Sequence, residues 1–360
     1  MKRCGLAVSS APARLTVLDG LRGCAVLMVM GFHYPWPQLP PPVEQLRHAG
    51  QLGVDLFFVL SGFLITGILI DVRDKSGPVL RNFYVRRSLR IFPLYYGVLA
   101  VLYVAGPALG LLAPAPLREQ WWFWLYMQNV GFTFTTLAGP NHFWSLAVEE
   151  HFYLVWPAIV RYATPEHLRR WLVGAIALTL ASRAILLGMG AGTFYFTLCR
   201  LDGLALGGLV AIAAREQGGL QRLVRPAVWA IAGLSPVITT LMVLFSGEGT
   251  PLMQLVKSTL LGAWFALFLV ILVQAPVASP LHRVFSMRAL CSVGTYGYAM
   301  YVFHPFVFGG LASHLQPYPL AIQGIGAFAA VYVAAYASWM VWERHFLALK
   351  DRFDYVRPAA

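Results

Sequence analysis

Leu18-Asp-Gly-Leu-Arg-Gly-Cys-Ala-Val-Leu-Met-Val-Met-Gly-Phe-His33 lies in the first long apolar run of the chain and carries two groups that a membrane helix normally excludes, Arg22 and His33. An ionisable residue within a spanning helix marks a functional site by default. On a helix rising about 1.5 Å per residue, their spacing separates them by roughly 16 Å along the axis, which places one near each membrane face. Two chemistries at two depths follow. The plainer alternative is that Arg22 reaches back to the inner headgroups while His33 rests at the outer interface.

Working outward, hydrophobic residues make up 58% of the chain and charged residues 12%, with a mean hydropathy of +0.65. A water-soluble globule carries about twice that charge. The fold class expected is therefore all-α, a polytopic membrane bundle. At about 20 residues per span, the apolar runs give segments near 15–36, 52–71, 91–113, 143–160, 171–190, 199–214, 226–246, 256–275, 291–312 and 319–342, about ten helices. Between the third and fourth, Trp121-Trp-Phe-Trp-Leu-Tyr126 reads either as an interfacial helix, since Trp and Tyr favour the headgroup level, or as a further span.

With both termini inside, most of the 27 Lys and Arg residues fall on the inner side. Outer loops hold only Arg47, Arg118 and Lys257, the bias expected of cytoplasmic loops. The net charge of +12 is then mainly an orientation signal. It calls for no nucleic-acid partner, and leaves membrane lipids or a phosphorylated cofactor as further clients. The polar start Met1-Lys-Arg-Cys leads into a segment that continues into the body of the protein, so no cleavable signal peptide is expected and the start stays in the cytosol. Cys4, Cys24, Cys199 and Cys291 show no paired spacing and read as packing residues, with no disulfide framework and no metal site. The expected organisation is one membrane domain over 1–360, with cytosolic tails at 1–14 and 345–360 and no appended soluble domain.

Five constellations could carry chemistry. His33 and Asp55, the latter in Gly53-Val-Asp-Leu-Phe-Phe-Val-Leu-Ser-Gly-Phe63, fall at similar depth, where a carboxylate would fix the histidine tautomer. Asp55 is equally suited to cap a helix, and Ser61 and Gly62 read as small packing residues. Asn141-His-Phe-Trp-Ser-Leu-Ala-Val-Glu-Glu-His-Phe-Tyr-Leu-Val-Trp-Pro157 places Glu149 and Glu150 about 10 Å into the membrane, within expected reach of His33. Arg86-Arg-Ser-Leu-Arg90 collects Arg86, Arg87 and Arg90 at the inner side, where Arg22 adds a further cation. Guanidinium forks suit phosphate, although a topology signal alone would also explain the cluster. Tyr298, Tyr301 and His304 recur at helical spacing and form either a polar wall for a hydroxylated substrate or a packed helix face. Arg200 and Asp202 read as an internal ion pair, or as part of the outer pocket.

Taken in order, these pieces resemble the membrane-bound acyltransferase family 3, whose bacterial members O-acylate lipopolysaccharide, other surface polysaccharides, peptidoglycan or antibiotics. The matching residues are Leu18 to Gly23 with His33, an Arg-x10-His pattern; Phe57-Phe-Val-Leu-Ser-Gly-Phe63; Arg86 to Pro93; Ser145 to Tyr153; and Tyr298 to Pro305. The resemblance implies an acyl-coenzyme A donor, foremost acetyl-coenzyme A, entering from the cytosol, with Arg22, Arg86, Arg87 and Arg90 on its phosphates and no metal. It implies His33 as general base, oriented by Glu149 or Glu150 and by Asp55. Tyr153, Tyr298, Tyr301, His304 and Arg200 would line the substrate side. The acceptor would be a carbohydrate or another hydroxylated molecule, and the location the bacterial cytoplasmic (inner) membrane. A covalent acyl-histidine is the chemical alternative. The competing function is a transporter or flippase using the same buried charges; inverted repeats or paired broken helices would support it, and neither is visible.

Overall fold

The computed structural model describes residues 11–37, 39–244 and 250–355; the expected placement of residues 1–10, with Cys4, and of 356–360 lies outside them. Among the described residues the chain is helical throughout, with no strand. The first half comprises α1 (Ala11–His33), α2 (Pro41–Ala49), α3 (Leu52–Val72), α4 (Val79–Ala100), α5 (Gly106–Ala108), α6 (Leu117–Trp124), α7 (Gln128–Phe134) and α8 (Trp144–Tyr162). The second comprises α9 (Pro165–Gly188), α10 (Leu201–Ala213), α11 (Val224–Leu244), α12 (Pro251–Gln274), α13 (Pro280–Phe285), α14 (Arg288–Leu315), α15 (Leu320–Ser338) and α16 (Arg344–Ala348). A helix covers each of the ten apolar segments. Among the described residues seven helices are long and apolar enough to cross a membrane. Of the other three, α10 is 13 residues long, α8 carries Glu149, Glu150 and Arg161, and α14 carries tyrosines and His304.

The aromatic stretch at Trp121 does not make a further span. It forms the eight-residue α6, about 12 Å long, followed by Tyr126 in the left-handed region at φ 56°. Phe123 is fully buried while Trp121 stays exposed.

Two close helix pairs position the site, α3 against α10 and α1 against α14. Both depend on residues without a Cβ. A Cβ at Gly62 of α3 would lie 1.9 Å from the Leu204 carbonyl oxygen of α10, and one at Gly294 of α14 would lie 1.8 Å from the Asp19 carbonyl oxygen of α1. Small residues at such crossings let backbones approach, which is how helices gain packing energy where lipid offers no hydrophobic drive. Around these pairs one apolar core joins α1, α3, α4, α8 and α14 through Met30, Phe58, Tyr95, Val148 and Val302. A second joins α1, α3 and α12 through Leu21, Leu60 and Leu269.

Residues 345–355, read from sequence as part of a tail, are structured. After α16 a 3-10 turn at Leu349–Phe353 packs on α4.

Candidate active site

A cavity of ≈ 520 Å³ follows α3 from Val54 to Val72, a stretch of about 27 Å, close to the thickness of a bilayer core. Arg22 of α1, Arg86, Arg87 and Arg90 of α4, Glu149, Glu150 and Tyr153 of α8, and Tyr298 and Tyr301 of α14 complete its walls. The four arginines expected together from sequence are therefore brought together. Arg86, Arg87 and Arg90 sit within the continuous helix α4, which starts at Val79, and Arg22 faces them from α1.

Each arginine is held differently. Arg22 donates to Asp19 one turn earlier at 2.8 Å. Arg87 lies 3.9 Å above the Tyr153 ring, with Glu149 also 3.9 Å away. Arg86 donates to the Lys350 carbonyl at 2.9 Å, and Arg90 is exposed. Glu149 accepts a 2.5 Å hydrogen bond from Ser61. The expected pairing of Glu149 with His33 is thus not made: the carboxylate serves the arginine cavity, because Arg87 and Ser61 are the partners that face α8. Glu150 also lines this cavity, with one buried carboxylate oxygen that has no hydrogen-bond partner. Ser61 was missed as a site residue, since a lone serine beside a glycine in an apolar run carries no distinguishing signal.

A second cavity, ≈ 580 Å³, is lined by His33, Asp55, His142, Trp144, Arg200 and Ser258 among others. Val54 and Tyr301 belong to the walls of both cavities, so the two meet end to end across these side chains. His33 is exposed to this space. Its Nδ1 lies 3.0 Å from the Val29 carbonyl. A carbonyl only accepts, so Nδ1 carries the proton and Nε2 keeps its lone pair. The His304 ring lies 4.9 Å from that of His33, and His142 lies 5.3 Å from His304. His304 donates from Nδ1 to the Tyr301 carbonyl at 2.7 Å, while its buried Nε2 has no partner. His142 donates from Nε2 to the Val302 carbonyl at 3.2 Å. His142 was not singled out from sequence, although it stands three residues before Ser145 in the same motif.

Asp55 does not orient His33. It accepts from Arg200 at 2.7 Å, because a guanidinium only 4% exposed requires an anion. Nor does it cap α3, since it lies inside the first turn and no side-chain cap bond is made. The Arg200–Asp202 pair is likewise not formed. Residues two apart on a helix do not face each other, and Asp202 instead accepts from Arg183 at 2.7 Å and from Thr259 at 2.6 Å. Phe58, Trp144 and Phe194 surround the Arg200 guanidinium at 5.3 to 5.6 Å. The tyrosine wall is mostly internal: Tyr298 donates to the Ile91 carbonyl at 2.8 Å and Tyr301 to that of His142 at 2.5 Å, with Ser145 also 2.5 Å away. His304 lines neither cavity. Tyr153 does face the first, but its hydroxyl is buried without a partner.

Among the described residues no group of His, Cys, Asp and Glu could hold a metal ion, and Cys24, Cys199 and Cys291 are free thiols. The arrangement offers a cationic cavity suited to a polyanion and, across Val54 and Tyr301, a second cavity lined by a histidine whose free nitrogen can accept a proton.

The chain is similar to several bacterial proteins named for O-acetyl transfer. Peptidoglycan O-acetyltransferase OatA of Listeria monocytogenes is 29% identical over 315 residues, covering 80% of this chain and 48% of that protein. A Bacillus subtilis protein, YrhL, provisionally named a peptidoglycan O-acetyltransferase, is 28% identical over 317 residues, covering 80% of this chain and 47% of its own length. A Staphylococcus aureus protein, SACOL0978, provisionally named an O-acetyltransferase, is 27% identical over 317 residues, with 80% and 49% covered. The chain spans about half the length of these curated relatives. No solved structure matches. Residues 15–341 match the acyltransferase domain family described as Acyl_transf_3, a span that includes every arginine and histidine of the two cavities described above, and the chain belongs to that family.

Proposed function

We propose that the chain is a membrane O-acyltransferase that moves an acyl group, acetyl foremost, from acyl-coenzyme A to a hydroxyl of a surface glycan of the peptidoglycan kind. The observation that carries this reading is the meeting of the two cavities at Val54 and Tyr301. Arg22, Arg86, Arg87 and Arg90 line one of them, where coenzyme A phosphates would accept charge-assisted hydrogen bonds. The length of that cavity along α3 suits an extended pantetheine arm, whose thioester would then arrive near His33.

In this account His33 Nε2 takes the proton of the acceptor hydroxyl while its oxygen attacks the thioester carbonyl. The new ester C–O bond forms and the C–S bond breaks. The imidazolium then returns its proton to the departing thiolate, so free coenzyme A leaves. The Val29 carbonyl fixes the tautomer that this step needs, a role expected from sequence for a carboxylate. Glu149 acts at the donor, where it orders Arg87. Asp55 with Arg200 shapes the acceptor pocket.

The membrane arrangement proposed is about ten spans with both termini cytosolic, in the bacterial cytoplasmic membrane. Support comes from the helices that cover all ten apolar segments and from the concentration of Lys and Arg on one side of that scheme. A transporter is not favoured, because the relatives that share the chain are named for acyl transfer.

The test is release of free coenzyme A from acetyl-coenzyme A by purified protein, followed with a thiol reagent in the presence of a glycan acceptor. His33→Ala should lower the rate by about 10²–10⁴-fold, the usual contribution of a general base, while the variant stays folded. A transporter would release no thiol, and a folded His33→Ala variant of undiminished rate would remove His33 from the mechanism.

A further inference from the structure

Lys350 and Tyr355 also line the arginine cavity. Both lie beyond residue 341, where the family match ends. The segment that carries them is fixed at several points. Arg86 donates to the Lys350 carbonyl at 2.9 Å and to the Phe353 carbonyl at 3.5 Å, with the Asp354 carboxylate 4.0 Å away. Asn82 donates to the Asp354 carbonyl at 2.9 Å. Arg86 lies 5.3 Å above the Tyr355 ring and Arg81 5.9 Å above that of Phe353. Asn82 and Arg86, four residues apart on α4, therefore strap residues 350–355 against the wall of this cavity.

Charge in that cavity is unbalanced. Its walls carry Arg22, Arg86, Arg87, Arg90 and Lys350 against Asp71, Glu149 and Glu150. Asp71 is engaged by both terminal and inner nitrogens of Arg215, at 2.5 and 2.7 Å, outside the cavity wall. Lys350, half-buried among arginines, makes no ion pair with a carboxylate among the described residues. A cation held among like charges at such a site needs an anion supplied from elsewhere.

We infer that the strap at residues 350–355 is part of the donor site, with the Lys350 ammonium binding a phosphate of the donor nucleotide and Arg86 acting as a positioning residue that holds Lys350 in place. This rests on the donor assigned under Proposed function. It changes the part played by Arg86, whose guanidinium is occupied by backbone carbonyls of the strap, and leaves direct phosphate contact to Arg87, Arg90, Arg22 and Lys350. The same phosphate chemistry exists on anionic lipid headgroups, and the test separates the two sources.

Coenzyme A binding to the full chain would be measured by calorimetry in phosphatidylcholine nanodiscs, then repeated with phosphatidylglycerol present. Lys350→Met should weaken binding about tenfold in phosphatidylcholine, near the lower end of a charge-assisted hydrogen bond. Lys350→Arg should restore binding to within about threefold, which a merely structural role for the aliphatic stem would not require of a charged replacement over methionine. Arg86→Ala should match Lys350→Met, and the double variant should be no weaker than either, since both losses act through one ammonium. Unchanged affinity in Lys350→Met, or multiplied losses in the double variant, would overturn the inference. So would an effect of Lys350→Met seen only with phosphatidylglycerol, which would assign the lysine to lipid. Failure of the unaltered protein to bind coenzyme A at all would overturn the donor assignment and this inference with it; normal binding with an indifferent Lys350 would overturn the inference alone.

Discussion

Arg200 of α10 donates to Asp55 of α3 at 2.7 Å across 145 residues of sequence, and both side chains are buried, at 4% and 11% exposed. This pair ties a wall of the His33 cavity to α3, the helix that runs along the arginine cavity. Its removal from one side only leaves an uncompensated charge, which in a buried setting costs about 3–5 kcal/mol.

Asp55→Ala and Arg200→Ala should therefore each lower thermal stability in detergent substantially. The double variant should recover part of the loss, because no lone charge is left behind. Additive losses would show that the two side chains do not act as a pair.

The close crossing of α3 and α10 gives a steric prediction. Gly62→Ala places a methyl group 1.9 Å from a backbone oxygen that cannot rotate away, so the helices must separate and stability should fall by about 3 kcal/mol, the upper range for overpacking. Gly174→Ala, in α9 with open space around it, should be neutral or stabilising by up to about 1 kcal/mol through helix propensity. Equal melting temperatures for the two variants would contradict the packing argument.

Glu149 and Arg87 should separate in binding measurements. Arg87→Ala removes a cation from the donor cavity and should weaken coenzyme A binding about tenfold. Glu149→Gln removes one negative charge from the same wall, so affinity should hold or rise while turnover falls as Arg87 loses its charged neighbour. Weaker coenzyme A binding in Glu149→Gln would place the carboxylate in a role other than the one argued.

What was legible in the sequence follows from how rare each residue is in its setting. Arg22, His33, Glu149 and the Arg86–Arg90 cluster stand out because an apolar helix excludes them, and α4 and α1 do bring the four arginines to one cavity. Partner choice was not legible. Asp55 could be placed at the depth of His33 from helix rise alone, but rise fixes depth and not facing, and α10 presents Arg200 to it instead. Glu149 was drawn toward His33 by the same depth argument, whereas Ser61 and Arg87 hold it at the other cavity. His142 and Lys350 were passed over because neither interrupts an apolar run: one precedes α8 and the other follows the last long helix. The tyrosines of α14 recur on one face as read, yet Tyr298 and Tyr301 satisfy backbone carbonyls of neighbouring elements, contacts that exist only after the helices have packed.

The proposed mechanism brings donor and acceptor from opposite ends of the bundle to meet at His33. It is tested most directly in sealed, oriented vesicles, with acetyl-coenzyme A supplied on one face and a glycan acceptor on the other. Charged coenzyme A does not cross a bilayer unaided, so donor on the cytosolic face should support acylation of acceptor on the outer face, and donor supplied only outside should support none. Efficient acylation from outside donor in vesicles shown to be sealed would contradict the account, even if His33 proved essential.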